Sequence, residues 1–126
     1  MLEAIKKQLP IYKRGEMLAN IVSLTKNIVV VGSHGKTTTT SLIASIFQET
    51  KIDPTIINGG VINSINNSAK LGKSDWSILE ADESDGSSVY TPPTYAIITN
   101  IDREHMDYYG SMDKLNKYFV NFVNKV

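Results

Sequence analysis

Gly32, Ser33, His34, Gly35, Lys36 and Thr37 follow directly on the apolar run Ile28, Val29, Val30 and Val31. A β-branched run, a loop flanked by glycines and a helix start, in that order, describe a cradle for phosphate. Glycines let backbone N–H groups approach anionic oxygens, and a helix N-terminus brings partial positive charge to the same point. In such a cradle Lys36 reaches the terminal phosphates and the Thr37 hydroxyl sits on Mg²⁺. The nucleotide-binding set is then Gly32, Ser33, His34, Gly35, Lys36, Thr37 and Thr38. The loop is two residues shorter than the general pattern G-x-x-x-x-G-K-[ST], and Val30 stands where that pattern has its first glycine. The competing reading is a plain glycine turn between a strand and a helix, which does not call for adjacent lysine and threonine.

Two further groups could do chemistry. Glu80, Asp82, Glu83 and Asp85 place four carboxylates within six residues, after the run Trp76, Ser77, Ile78 and Leu79. Alternation along a strand directs Glu80 to the face of Ile78, where a carboxylate needs a partner. Mg²⁺ on nucleotide phosphates is such a partner, because it takes one or two carboxylates. A solvated acidic turn is the alternative. The separate roles of Asp82, Glu83, Ser84 and Asp85 are not distinguished by sequence. His105 lies in the stretch Asp102, Arg103, Glu104, His105, Met106 and Asp107. A neutral imidazole there can ligate a metal, with neighbouring carboxylates orienting it; the alternative is a structural loop histidine. His34 either faces a substrate or fills a tolerant loop position.

These residues need elements to hold them. A helix is expected over 14–24 with Met17, Leu18, Ile21 and Val22 on one face, and a strand over 27–31 whose unbroken apolar run suits cover on both sides. A helix over 37–49 carries Leu42, Ile43, Ile46 and Phe47 at helical spacing. Strands are expected over 54–58, closed by Gly59 and Gly60, over 76–81 and over 95–100, with residues 63–73 mostly loop around a short strand. Ser111 reads as an N-cap, followed by a stripe of Leu115, Phe119, Phe122 and Val123. The expected fold class is α/β, a mostly parallel sheet flanked by helices, with all three polar groups beyond the carboxyl ends of strands, where such sheets bind ligands. Residues 1–25 read as an N-terminal linker and helix, and 26–126 as the part that carries the phosphate cradle.

Composition narrows the classes. The 126 residues suffice for one domain. Thirteen basic and thirteen acidic residues balance to zero net charge, and the aromatics do not interleave with a basic patch, so no nucleic-acid partner is expected. No apolar stretch reaches membrane-span length, and no cysteine is present for a disulfide or thiolate site. A soluble, cytoplasmic protein with no membrane partner is the expectation.

Gly32 to Thr40, the triplet Asn58, Gly59 and Gly60, the stretch Glu80 to Asp85, and Thr99, Asn100 and Ile101 with His105, Met106 and Asp107 resemble, in order and spacing, the Mur ligases of peptidoglycan synthesis. The resemblance runs from about Arg14 to the C-terminus. It implies a P-loop NTPase-like central domain that activates a substrate carboxylate as an acyl phosphate, which an amino-acid amine attacks to give an amide, ADP and phosphate. It implies ATP and Mg²⁺ as cofactors and a UDP-sugar carboxylate and an amino acid as substrates. It implies that Lys36, Glu80 and His105 are catalytic, that Thr37 and Glu80 ligate one Mg²⁺, and that Glu80 and His105 ligate a second. Ser84 and Met106 make the chain more similar to members that add L-alanine to UDP-N-acetylmuramate than to those that recycle murein tripeptide. Ser33 and Glu104 stand where the family more often has threonine and aspartate. The family's outer domains are missing and the central one looks truncated, so the chain is expected not to ligate alone and to expose a sheet edge open to self-association. A stand-alone nucleotide-binding module without ligase activity is the other reading.

Overall fold

The computed structural model describes residues 1–84 and 86–126; Asp85, one of the acidic stretch, lies outside the described residues. In chain order the elements are α1 (Leu2–Lys6), α2 (Arg14–Val22), β1 (Lys26–Val31), α3 (Lys36–Gln48), β2 (Thr55–Ile62), β3 (Asn67–Lys70), β4 (Trp76–Glu80), β5 (Tyr95–Ile98), α4 (Met106–Tyr109) and α5 (Met112–Val123). A 3-10 turn over Ser87–Tyr90 precedes β5. The sheet runs β3-β2-β4-β1-β5. β1 pairs in parallel with β4 and β5, and β2 in parallel with β4, while β3 is antiparallel to β2. The sheet is therefore mostly parallel, as the sequence implies, with one antiparallel edge. Among the described residues no helix is long and apolar enough to cross a membrane.

β1 lies inside the sheet, between β4 and β5, because its residues are apolar on both faces. Val29, Val30 and Val31 are fully buried. Val29 and Val31 face a core of Val22, Leu79, Tyr109, Leu115, Tyr118, Phe119 and Phe122, built under α2, α4 and α5. The opposite face is smaller, with Ala44 of α3 packed on Ile56 and Ile62 of β2. Ser111 caps α5, its hydroxyl accepting from the Lys114 N–H at 3.3 Å. Phe119 and Phe122 are buried as expected, but Val123 is 44% exposed and Tyr118 takes its place. At 100° per residue, positions 115, 118, 119 and 122 share a face that 123 has already left.

Three other expectations change. β2 does not stop before Gly59; it continues through both glycines to Ile62. α3 does not bury Leu42 and Ile46, which are 61% and 64% exposed; it presents Thr40 and Ala44 to the sheet. Small side chains let this helix sit close to the strands, which the position of its N-terminus requires. In α2, Met17 and Ile21 are exposed and the buried residues are Ala19 and Val22.

Phe122→Ala is expected to cost about 3–5 kcal/mol, read from urea unfolding, because it empties a fully buried site. A second prediction concerns acid. A 2.6 Å hydrogen bond from Lys70 holds the Asp53 carboxyl below its ordinary range. Its stabilising contribution is thus present above the unfolded carboxyl's pKa of about 3.9 and lost as pH falls through the lower folded value. Lys70→Met should move the Asp53 titration upward in a carboxyl NMR series.

Candidate functional site

The order β4-β1-β5 sets three strand ends side by side, so the loops that follow them converge. Gly32 leaves β1 at φ +130°, and an added Cβ would collide with the Thr99 hydroxyl and approach the Asn100 carbonyl to 2.8 Å. Only glycine fits so close to the neighbouring loop. Hydrogen bonds then lace the two loops together. The Asn100 side chain accepts from the His34 N–H at 2.9 Å, Thr99 Oγ1 donates to the His34 carbonyl at 2.6 Å, and the Ser33 hydroxyl accepts from the Asp102 N–H at 2.8 Å. Gly35, at φ +78°, is the N-cap of α3 and gives it no side-chain cap. The first-turn N–H groups of α3 are thus left for an external acceptor.

A cleft of about 540 Å³ opens in front of this loop, lined by Ser33, Lys36, Gly59, Glu80, Asp82 and His105 among others. Lys36 Nζ donates to the carbonyls of Gly32 and Ser33 and lies 3.0 Å from Glu83 Oε1. Thr37 Oγ1 donates to Glu80 Oε2 at 2.9 Å, and the Gly59 N–H donates to the same oxygen at 2.8 Å. Those contacts explain the glycines inside β2. A Cβ on Gly59 would stand 2.8 Å from the Glu80 carboxylate, and one on Gly60 would stand 3.1 Å from Thr37 Cγ2.

His105 caps α4 at φ +54°, ψ +34°, a left-handed backbone that few residues other than glycine adopt. Its Nε2 is 3.5 Å from Glu83 Oε1. Single ligand atoms of Glu83, Glu104 and His105 lie within 4.8 Å of one another. Burial works to raise the Asp82 carboxyl; hydrogen bonds from Ser84 and the fields of Lys36 and His105 outweigh it, so Asp82 sits below its ordinary range. The His34 ring is exposed, 3.5 Å from Asp102 and 3.7 Å from Glu104, pairs that water screens.

Gly32, Ser33, His34, Gly35, Lys36 and Thr37 thus share one turn with Glu80 across from it, and His105 closes the cleft from the β5 side. Thr38 follows in the first turn of α3 and also lines a neighbouring groove with Ser41, Val61 and Ser64. Sequence reasoning leaves the role of Glu83 open and assigns none to Tyr109 or Arg14. Glu83 is 1% exposed at the centre of the site, Tyr109 donates its hydroxyl to the Glu83 carbonyl, and Arg14 of α2 lines the cleft. The clustered carboxylates are a signal for Glu83, and nothing in the sequence marks Arg14.

The donors fit phosphate and a hard divalent cation: an ammonium, an uncapped helix start, a hydroxyl and carboxylate oxygens. Residues 30–126 match the Mur ligase middle domain family. The UDP-N-acetylmuramate–L-alanine ligase of Pelagibacter ubique (strain HTCC1062) is 77% identical over 126 residues, which is 100% of this chain and 27% of that protein. Among solved structures, UDP-N-acetylmuramate-alanine ligase from Thermotoga maritima superposes with a TM-score of 0.89 at 26% identity, over 98% of this chain and 30% of that one. MurF ligase from Thermotoga maritima in complex with ADP has the same fold, with a TM-score of 0.64 at 21% identity, over 91% of this chain and 30% of that one. The chain spans about a quarter of the length of the curated relatives it matches.

Gly59→Ala is expected to cost about 1–3 kcal/mol in urea unfolding through overpacking against Glu80.

Proposed function

We propose that this chain, which belongs to the Mur ligase family, supplies the ATP-binding part of an enzyme that joins L-alanine to UDP-N-acetylmuramate through an acyl phosphate. The observation that carries the reading is the Thr37 hydroxyl held 2.9 Å from the Glu80 carboxylate beside Lys36 and the uncapped start of α3. Lys36 holds the terminal phosphates, and the α3 N–H groups hold the oxygens nearest the loop. Thr37 and Glu80 would hold Mg²⁺, and Glu80 and His105, which line the same cleft, would hold a second. Mg²⁺ held by these residues would offset the repulsion between a phosphoryl group and the carboxylate that receives it. The Gly59 N–H keeps Glu80 aimed at Thr37, and Ser33 and Asn100 keep the loop in shape. The ADP in the complex of the MurF relative supports a nucleotide in this fold.

Calorimetric titration tests this. Mg²⁺-ATP should bind the chain and bind weakly when Mg²⁺ is withheld. Lys36→Ala should lose about 10- to 100-fold in affinity, the worth of one hydrogen bond to a charged group. Equal affinity in Lys36→Ala and the parent would refute the cradle.

A further inference from the structure

Glu83 is the carboxylate of the acidic stretch that sequence could not place. Among the described members it alone is buried, at 1% exposure, while Glu80 is half-buried and Asp82 exposed. One oxygen, Oε1, meets Lys36 Nζ at 3.0 Å and His105 Nε2 at 3.5 Å. These two groups come from different sides of the cleft. Lys36 opens α3 after β1, and His105 caps α4 after β5. The second oxygen, Oε2, is buried with no hydrogen-bond partner among the described residues. A carboxylate that served only the surrounding packing would use both oxygens, because a buried acceptor without a donor is costly. The Glu83 backbone is also fixed. Its carbonyl accepts from the Tyr109 hydroxyl and from the Gly86 N–H.

On the nucleotide reading above, we propose that Glu83 is a positioning residue: a single buried oxygen holds the Lys36 ammonium and the His105 imidazole at a set separation before any ligand enters. Among the described residues Lys36 is otherwise held by loop carbonyls, which fix its distance from Gly32 and Ser33 but not its direction across the cleft. His105 caps a short helix of four residues, and its Nε2 stands 3.5 Å from the Glu83 carboxylate on the β4 side. Preorganisation of this kind sets how well both walls fit a phosphate chain.

The test uses the whole chain with Glu83→Gln, which keeps the shape and removes the charge, and Glu83→Asp, which keeps the charge on a shorter arm. In the nucleotide-free protein at fixed pH, nitrogen NMR should show the His105 ring resonances displaced by Glu83→Gln while those of His34 stay in place. Glu83→Asp should displace them less. By calorimetry Glu83→Gln should weaken Mg²⁺-ATP binding roughly tenfold, as expected for loss of one charged contact, and should add little to Lys36→Ala. Unmoved His105 resonances, or full additivity with Lys36→Ala, overturn the proposal. If Glu83→Gln does not fold, Glu83→Asp carries both readouts. A parent chain that does not bind Mg²⁺-ATP refutes the nucleotide reading instead, and the ring-nitrogen shifts then decide the role of Glu83 alone.

Discussion

The buried ion pair between Lys36 and Glu83 is the interaction on which the cleft depends. Both groups are almost out of water, at 14% and 1% side-chain exposure, and they follow neighbouring strands, Lys36 at the start of α3 after β1 and Glu83 in the stretch after β4. Withdrawing two charges from water is expensive, and losing one partner of such a pair commonly costs about 3–5 kcal/mol because the other is left uncompensated. The sheet meets this demand by placing β1 between β4 and β5, so that the ammonium, the carboxylate and the imidazole arrive without long excursions of chain. The valines of β1 make that central position stable, since they find apolar cover on both faces.

The rest of the architecture brings backbone unusually close to side chains. α3 sits near the sheet through Thr40 and Ala44, and this lowers Thr37 onto Glu80. β2 answers with glycine at the two places where a methyl group would intrude. Glu80 is thereby held by a hydroxyl from a helix and an N–H from a strand, a stiffer arrangement than two flexible side chains would provide.

Much of this was legible in the chain. The run of valines marked a parallel strand covered on both faces, Ser111 marked a helix start, and the grouping of polar residues after strands anticipated where the cleft lies. The extent of β2 was hidden because a glycine pair reads locally as a turn, while its reason for being in a strand is a carboxylate 21 residues later. The buried face of α3 was misread because hydrophobicity favours Leu42 and Ile46, whereas the packing distance favours Thr40 and Ala44. Glu83 could not be singled out, because beyond the end of β4 no alternation separates an inward carboxylate from an outward one.

The left-handed backbone of His105 has an evolutionary consequence. Holding a non-glycine residue there costs of order 1–3 kcal/mol, which glycine would not incur. Folding stability and the imidazole therefore pull this position in opposite directions. A laboratory selection for heat resistance alone would drift toward glycine at 105 and silently discard one wall of the cleft, whereas a lineage that keeps histidine there records a demand other than stability.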